Sequence, residues 1–209
     1  MRTVAPARWD DDLIEACLDR GQSGVRAWEA PSVWVVLGRG NRPEQEVHLD
    51  RCARDGVPVL RRRGGGGAVV LAPGCLVLSL ARPLPDPLRA AERMARTVGI
   101  LGEVLGRITG LDLAVRGTGD LCVGERKVLG SSAFSRRGVF FYQASLLVSM
   151  DLGLVDRYLR HPSREPDYRR GRPHGAFLAT LAGAGSPVDI GPCRAALEDG
   201  MRERLGEIG

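Results

Sequence analysis

Two segments of this 209-residue chain combine residue types that can act on an anion. The first, RRRGGGGAVV, spans residues 61–70. Four consecutive glycines remove every Cβ from a turn, so backbone N–H groups can close on a phosphate or a thin ligand, while Arg61, Arg62 and Arg63 add positive charge in planar forks. The second, GTGDLCVGERKVLGSS, spans residues 117–132. Asp120 has the chemistry to hold a divalent cation or a ribose hydroxyl, and Lys127 can point an ammonium at a phosphate and at charge developing beside it. Lys127 is the only lysine among thirty basic residues. In a chain that otherwise uses arginine, the retained lysine points to a task for a compact ammonium. Read alone, each segment also suits a solvated hairpin with ordinary charges. Neither contains a Walker sequence or a GxGxxG run before a helix, so neither a P-loop nor a Rossmann reading follows.

The elements that must position these segments are legible from periodicity. A helix is expected over 10–21, starting at three aspartates and stopping at Gly21, followed by a buried strand at 33–37 and a helix over 43–56. Strands are expected at 58–62, 68–71 and 75–80, the last two joined through Pro73 and Gly74. The clearest helix covers 86–110. There Leu88, Ala91, Met94, Val98, Leu101, Leu105 and Ile108 step by three or four, while Arg89, Arg93, Arg96, Glu103 and Arg107 take other faces. Residues 111–150 read as strands with turns at Gly124 and Gly138, and helices at 152–159, 175–181 and 192–205 finish the chain. Neighbouring strands separated by few helices predict an α+β fold, a mixed and largely antiparallel sheet with helices on one side. The Pro- and Arg-rich stretch 161–173 is the one long loop, a length that often accompanies function.

Composition bounds the rest. A hydrophobic fraction of 44% with 26% charged residues describes an ordinary globular chain, and a formal charge of +5 spread along it suits anionic ligands without implying nucleic acid. Five cysteines without a CxxC pair suggest neither zinc nor a disulfide framework, which fits a reducing compartment. With no signal-peptide core and no apolar stretch long enough to span a bilayer, the expectation is a soluble, cytoplasmic protein without a membrane partner. His48 and His161 read as exposed, His174 as a helix-start residue, and Trp9, Trp28 and Trp34 as packing residues.

Taken in order, the motifs resemble the lipoate-protein ligase family, within the biotin and lipoate protein ligases. VWVVLGRGNRPEQEV (33–47), DGVPVLRRRGGGGAVVLAPG (55–74), GTGDLCVGERKVLGSS, SLLVSMDL (145–152) and the loop EPDYRRGRPHGAFLATL are each similar to a family segment. The resemblance implies a catalytic domain like that of class II aminoacyl-tRNA synthetases and biotin ligases. It also implies ATP-dependent, Mg²⁺-assisted conversion of lipoate or octanoate to an acyl-adenylate, then transfer to the lysine of a lipoyl domain. Lys127 would be the catalytic group. Arg62, Arg63, Gly64, Gly65, Gly66, Gly67, Ala68, Asp120, Gly130 and Ser131 would bind substrate or nucleotide, with Asp120 also the Mg²⁺ contact. Val69, Val70 and Leu78 would line an apolar acyl tunnel.

The departures matter as much. Tyr142, Gln143, Ala144 and Ser145 stand where the family commonly has His-His-Gly-Thr, and Ser132, Ala133, Phe134 replace a stretch containing arginine. The reading is of one catalytic domain over residues 1–209 without a C-terminal accessory domain, so adenylate formation would call on a separate accessory protein. Two other functions fit the same motifs: an ATP-independent octanoyl or lipoyl transferase working through a thioester on Cys75 or Cys122, and a non-catalytic lipoate-binding module.

Overall fold

The structure, a computed structural model, describes residues 4–208, with backbone alone for Pro87. In chain order the elements are β1 (Ala5–Pro6), α1 (Asp11–Arg20), β2 (Gly24–Glu29), β3 (Trp34–Leu37), α2 (Pro43–Glu46), α3 (Leu49–Arg54), β4 (Val59–Arg61), β5 (Val69–Leu71) and β6 (Cys75–Pro83). They continue with α4 (Ala90–Thr109), β7 (Ala114–Arg116), β8 (Asp120–Val123), β9 (Arg126–Arg136), β10 (Val139–Leu147), α5 (Gly153–Tyr158), α6 (His174–Phe177) and α7 (Ile190–Glu203). The fold is mixed α+β. Among the described residues, a larger sheet runs antiparallel throughout in the order β2-β6-β10-β9-β8-β7, and a smaller one joins β1, β4, β3 and β5.

Both faces of the larger sheet are covered, which is why β6 and β10 are apolar at nearly every position. Leu76, Leu78, Leu80, Tyr142, Ala144 and Leu146 face Leu101 and Leu105 of α4 and Leu197 of α7 in the main core. Val77 and Leu147, one residue out of step, turn the other way into a second core with Val35, Val36, Leu37 and Val70. The expectation of one sheet with helices on one side is therefore corrected to two sheets, with the small sheet and α1 on the opposite face. The turn at Pro73 and Gly74 carries the chain between layers. Gly74 has φ +86°, and a Cβ there would lie 2.6 Å from the Met150 nitrogen.

Other differences have local causes. The expected helix over 43–56 breaks into α2 and α3 because Val47 leaves helical geometry to pair with Leu159. β2 was not foreseen, since as the edge strand beside β6 it buries only Val25 and Ala27. The expected helix at 175–181 ends at Phe177, after which Leu178 pairs with Lys127. The stripe on α4 starts one turn late: Leu88 is 92% exposed, Ala91 is exposed, and Arg93 is buried, donating to the Pro83 carbonyl with its guanidinium over Phe140.

Leu101→Ala is expected to cost about 2–5 kcal/mol in denaturant unfolding, whereas Leu88→Ala should stay within about 0.5 kcal/mol. A large loss from Leu88→Ala would refute this placement of the stripe.

Candidate active site

Lys127 lies near the start of β9, where the ladder with β8 is irregular. Leu121 pairs with Leu129 but Cys122 pairs with Lys127, so one residue, Val128, is extra on β9. Without that bulge Lys127 and Gly130 would face opposite sides of the sheet. With it, Val128 and Leu129 are both buried, and the lysine side chain lies over Gly130. A Cβ at Gly130 would be 2.7 Å from both Cε and Nζ of Lys127. The ammonium pairs with Asp120 Oδ1 at 2.8 Å, both side chains being mostly buried. Asp120 Oδ2 accepts a hydrogen bond from the Tyr168 hydroxyl at 2.7 Å.

The glycine turn meets the same face of the same strand. A Cβ at Gly64 would lie 2.7 Å from Ser132 Oγ, and Ser132 is two residues along β9 from Gly130, a step of about 7 Å. The turn is braced from below by its own arginines. Arg62 is half-buried and donates to the carbonyls of Gly65 (2.5 Å) and Gly67 (2.8 Å). Burial pulls its guanidinium down to about 10, so it remains protonated at neutral pH. Arg61 donates to the carbonyls of Gly38, Arg39 and Asn41, tying the turn after β3 alongside. Gly38 is needed there: its Cβ would sit 2.1 Å from the Gly66 carbonyl oxygen. Arg63 points away to pair with Asp11 at 2.7 Å.

Strand alternation sorts the remaining expected site residues. Gly130 and Ser132 face the turn, whereas Ser131 lies on the core side, where its hydroxyl bonds to the Gly119 carbonyl and so steadies the loop leading into Asp120. Ala68 and Val69 are half-buried and Val70 is buried, all three at the second core. Leu78 belongs to the main core across the sheet, so the structure does not bring it to Val69 and Val70. Gln143 pairs with Ser132 on one side and Ser79 on the other, on the face that meets the turn. Its Nε2 donates to the Asp10 carboxylate (3.1 Å) and to Ser79 Oγ (3.1 Å). Asp10 is buried and also takes a hydrogen bond from Trp28 and the charge of Arg26. A small cleft there is lined by Asp11, Arg63, Phe141 and Gln143. Trp9 stacks on Trp34 with centroids 5.0 Å apart, as packing residues should.

The 161–173 loop is the part of the site that sequence reasoning located without its key residue. Tyr168 sits in a short 3-10 turn, Asp167–Arg169, with its ring 5.3 Å from that of Phe177. Buried Arg169 lies over Phe177 and contacts Nδ1 of His174 at 3.3 Å. Nε2 of His174 lies 3.1 Å from the Arg160 carbonyl, so it must carry the proton and Nδ1 accepts. His174 opens α6, as expected, and burial lowers its pKa below the ordinary imidazole value. Cys122, with its Sγ 3.7 Å from the Tyr168 hydroxyl, and Cys75 are buried thiols. Burial raises both, Cys75 to about 12.

The Mg²⁺ expectation rests on Asp120 alone, so an ion there would take its other ligands from phosphate and water. Both oxygens of Asp120 are engaged, and no group of three or more His, Cys, Asp or Glu side chains suited to a metal gathers among the described residues.

Gly130→Ala should shift stability by less than about 1 kcal/mol, because the clash is with the flexible end of a side chain. It should nevertheless push the ammonium off its seat, moving the single lysine side-chain resonance in an NMR spectrum. His174 sets a pH dependence. Its lowered pKa means its contribution is complete above the unfolded value near 6.5 and is lost as pH falls through the lower folded value. Hydrogen-exchange protection across 165–178, taken relative to the intrinsic amide rate at each pH, should therefore fall on acidification below about pH 6.5, and unchanged protection would contradict this assignment.

Comparison with known proteins places this geometry. Residues 5–199 match the model of the lipoyl protein ligase A/B catalytic domain. Lipoate-protein ligase A subunit 1 of Thermoplasma acidophilum is 29% identical over 163 residues, covering 74% of this chain and 62% of that protein. An Aeropyrum pernix protein with the provisional name lipoate-protein ligase A is 30% identical over 71% of this chain and 54% of its own length. The chain thus spans little more than half the length of these curated relatives. Among solved structures, a lipoate-protein ligase A bound with ATP superposes with TM-score 0.78 at 26% identity, covering 94% of this chain and 78% of that one. A bipartite lipoate protein ligase from T. acidophilum, described with its E2 lipoyl domain, gives TM-score 0.78 at 27% identity over 98% and 82%. No helix among the described residues is long and apolar enough to cross a membrane. A glycine turn packed on the strand that carries the chain's only lysine is thus the local form of a shared domain, and this protein belongs to the lipoyl protein ligase A/B catalytic-domain family.

Proposed function

We propose that this domain activates lipoate or octanoate with ATP and passes the acyl group to the lysine of a lipoyl domain. The observation that carries the reading is the seat of Lys127, an ammonium over Gly130 on the strand face that meets the glycine turn. In the first step a carboxylate oxygen attacks the α-phosphorus of ATP, the bond to the bridging oxygen breaks, and pyrophosphate leaves. In the second, the acceptor amine attacks the acyl carbon, AMP leaves, and the amine gives up a proton as the amide forms. Both steps concentrate negative charge on phosphate and carboxyl oxygens. A fixed ammonium and a turn free of Cβ atoms stabilise that charge without steric cost.

Arg62 has a supporting role in this scheme, holding the carbonyls of the turn, while the exposed Arg63 would have to leave Asp11 to meet an anionic ligand. ATP and lipoate as ligands are supported by a family relative bound with ATP and by the ligase names of the relatives. A lipoyl-domain acceptor and a separate accessory chain are supported by the bipartite Thermoplasma ligase and its E2 lipoyl domain. The thioester route draws no support from Cys75 or Cys122, because a buried thiol with a raised pKa is a poor source of thiolate.

The test is incubation with ATP, Mg²⁺, lipoate or octanoate and an apo lipoyl domain, with mass analysis of adenylate and acylated domain. Lys127→Ala should lower adenylate yield about 10²–10³-fold, the usual effect of removing one group that stabilises transition-state charge. Undiminished adenylate in that variant would overturn the role of Lys127. Acylation without ATP would overturn the whole scheme in favour of a transferase, and binding without turnover, with accessory chains supplied, would favour a lipoate-binding module.

A further inference from the structure

We propose that Tyr168 is a positioning residue for Lys127: by occupying one oxygen of Asp120 it leaves the lysine a single side-chain partner among the described residues and keeps the other N–H groups of the ammonium for the ligand. This rests on reading Lys127 as the group that meets the anion.

The argument begins with donors and acceptors. A lysine ammonium has three N–H donors and a carboxylate has two oxygens with several lone pairs, so a free carboxylate can swing to engage the ammonium with both. That would draw Nζ toward Asp120 and away from the glycine turn. In the structure the two oxygens are divided, Oδ1 to Lys127 at 2.8 Å and Oδ2 to the Tyr168 hydroxyl at 2.7 Å. A carboxylate accepts, so the phenol must donate. Burial and the charge of Asp120 both raise the phenol pKa above its ordinary value, so the donor persists across the working pH range.

Tyr168 is itself fixed from several directions. Its ring packs on Phe177 and passes close over Gly117, where a Cβ would lie 3.6 Å from Cε1. Its carbonyl accepts from Arg172 NH2 at 2.9 Å, while NH1 of the same guanidinium donates to the Glu125 carbonyl at 2.9 Å in the turn between β8 and β9. One planar fork therefore ties the loop to the hairpin that bears both Asp120 and Lys127. The Arg172 contact to the Tyr168 carbonyl is local, but the loop reaches the hairpin across the sequence, Tyr168 standing 48 residues from Asp120 and Arg172 47 from Glu125.

The sole lysine makes the inference readable without turnover. Protein labelled with ¹⁵N- and ¹³C-lysine gives one side-chain signal. Tyr168→Phe, which removes one oxygen from a ring that keeps its packing, should move that signal, while in an Asp120→Asn background the same substitution should leave it where Asp120→Asn alone puts it. Arg172→Ala, which frees the loop and retains the phenol, should move it in the same direction by less. Adenylate formation by Tyr168→Phe should show kcat reduced about tenfold, the scale of one hydrogen bond, with KM for ATP nearly unchanged. A signal unmoved by both single variants, or moved equally with and without Asp120, would overturn the inference. Wild-type protein that forms no adenylate even with accessory chains supplied, yet whose lysine signal behaves as expected, would instead refute the proposed reaction and leave the positioning role standing.

Discussion

A β-strand points successive side chains to opposite faces, so Lys127 and Gly130, three apart, should lie on different sides of their sheet. The extra residue at Val128 reverses that parity, and the rest of the site depends on the reversal. It buries Val128 and Leu129 together in the main core and turns the ammonium to the face where the glycine turn lands. Glycine at position 130 leaves the room in which the lysine lies across the strand. Asp120, on the neighbouring strand, comes within ion-pair distance by the same shift, and Tyr168 closes the group from a loop distant in sequence.

Arginine and lysine divide their labour in this chain along chemical lines. Arg61, Arg62, Arg126 and Arg172 each reach at least two backbone carbonyls in turns and loops. A rigid fork with five donors suits that work. At position 127 the same fork would bind Asp120 with two parallel hydrogen bonds and leave its charge committed. A lysine gives one contact and keeps its other donors, which explains why an otherwise arginine-based chain has an ammonium at this point.

Burial of charge is the recurring constraint. Asp10 is held inside by the Ser79 hydroxyl, the Gln143 amide, the Trp28 indole and Arg26. Because a carboxylate only accepts, Gln143 must present its NH₂ to Asp10. Its carbonyl oxygen accepts no hydrogen bond among the described residues.

Much of this was legible in the residues. The long amphipathic helix, the buried strands, the hairpin turns at Gly124 and Gly138, and the pairing of a glycine run with a lone lysine all follow from periodicity and residue type, because those signals are local. What the sequence could not decide was parity and layer. Whether Ser131 or Ser132 faces the turn depends on a bulge, whether Leu78 and Val70 share a core depends on a change of sheet, and whether a tyrosine in the 161–173 loop touches Asp120 depends on where the chain returns. The candidate groups could be named from the sequence, since chemistry belongs to side chains. Their convergence was settled only by tertiary structure, since alternation and long-range packing determine which side chains meet.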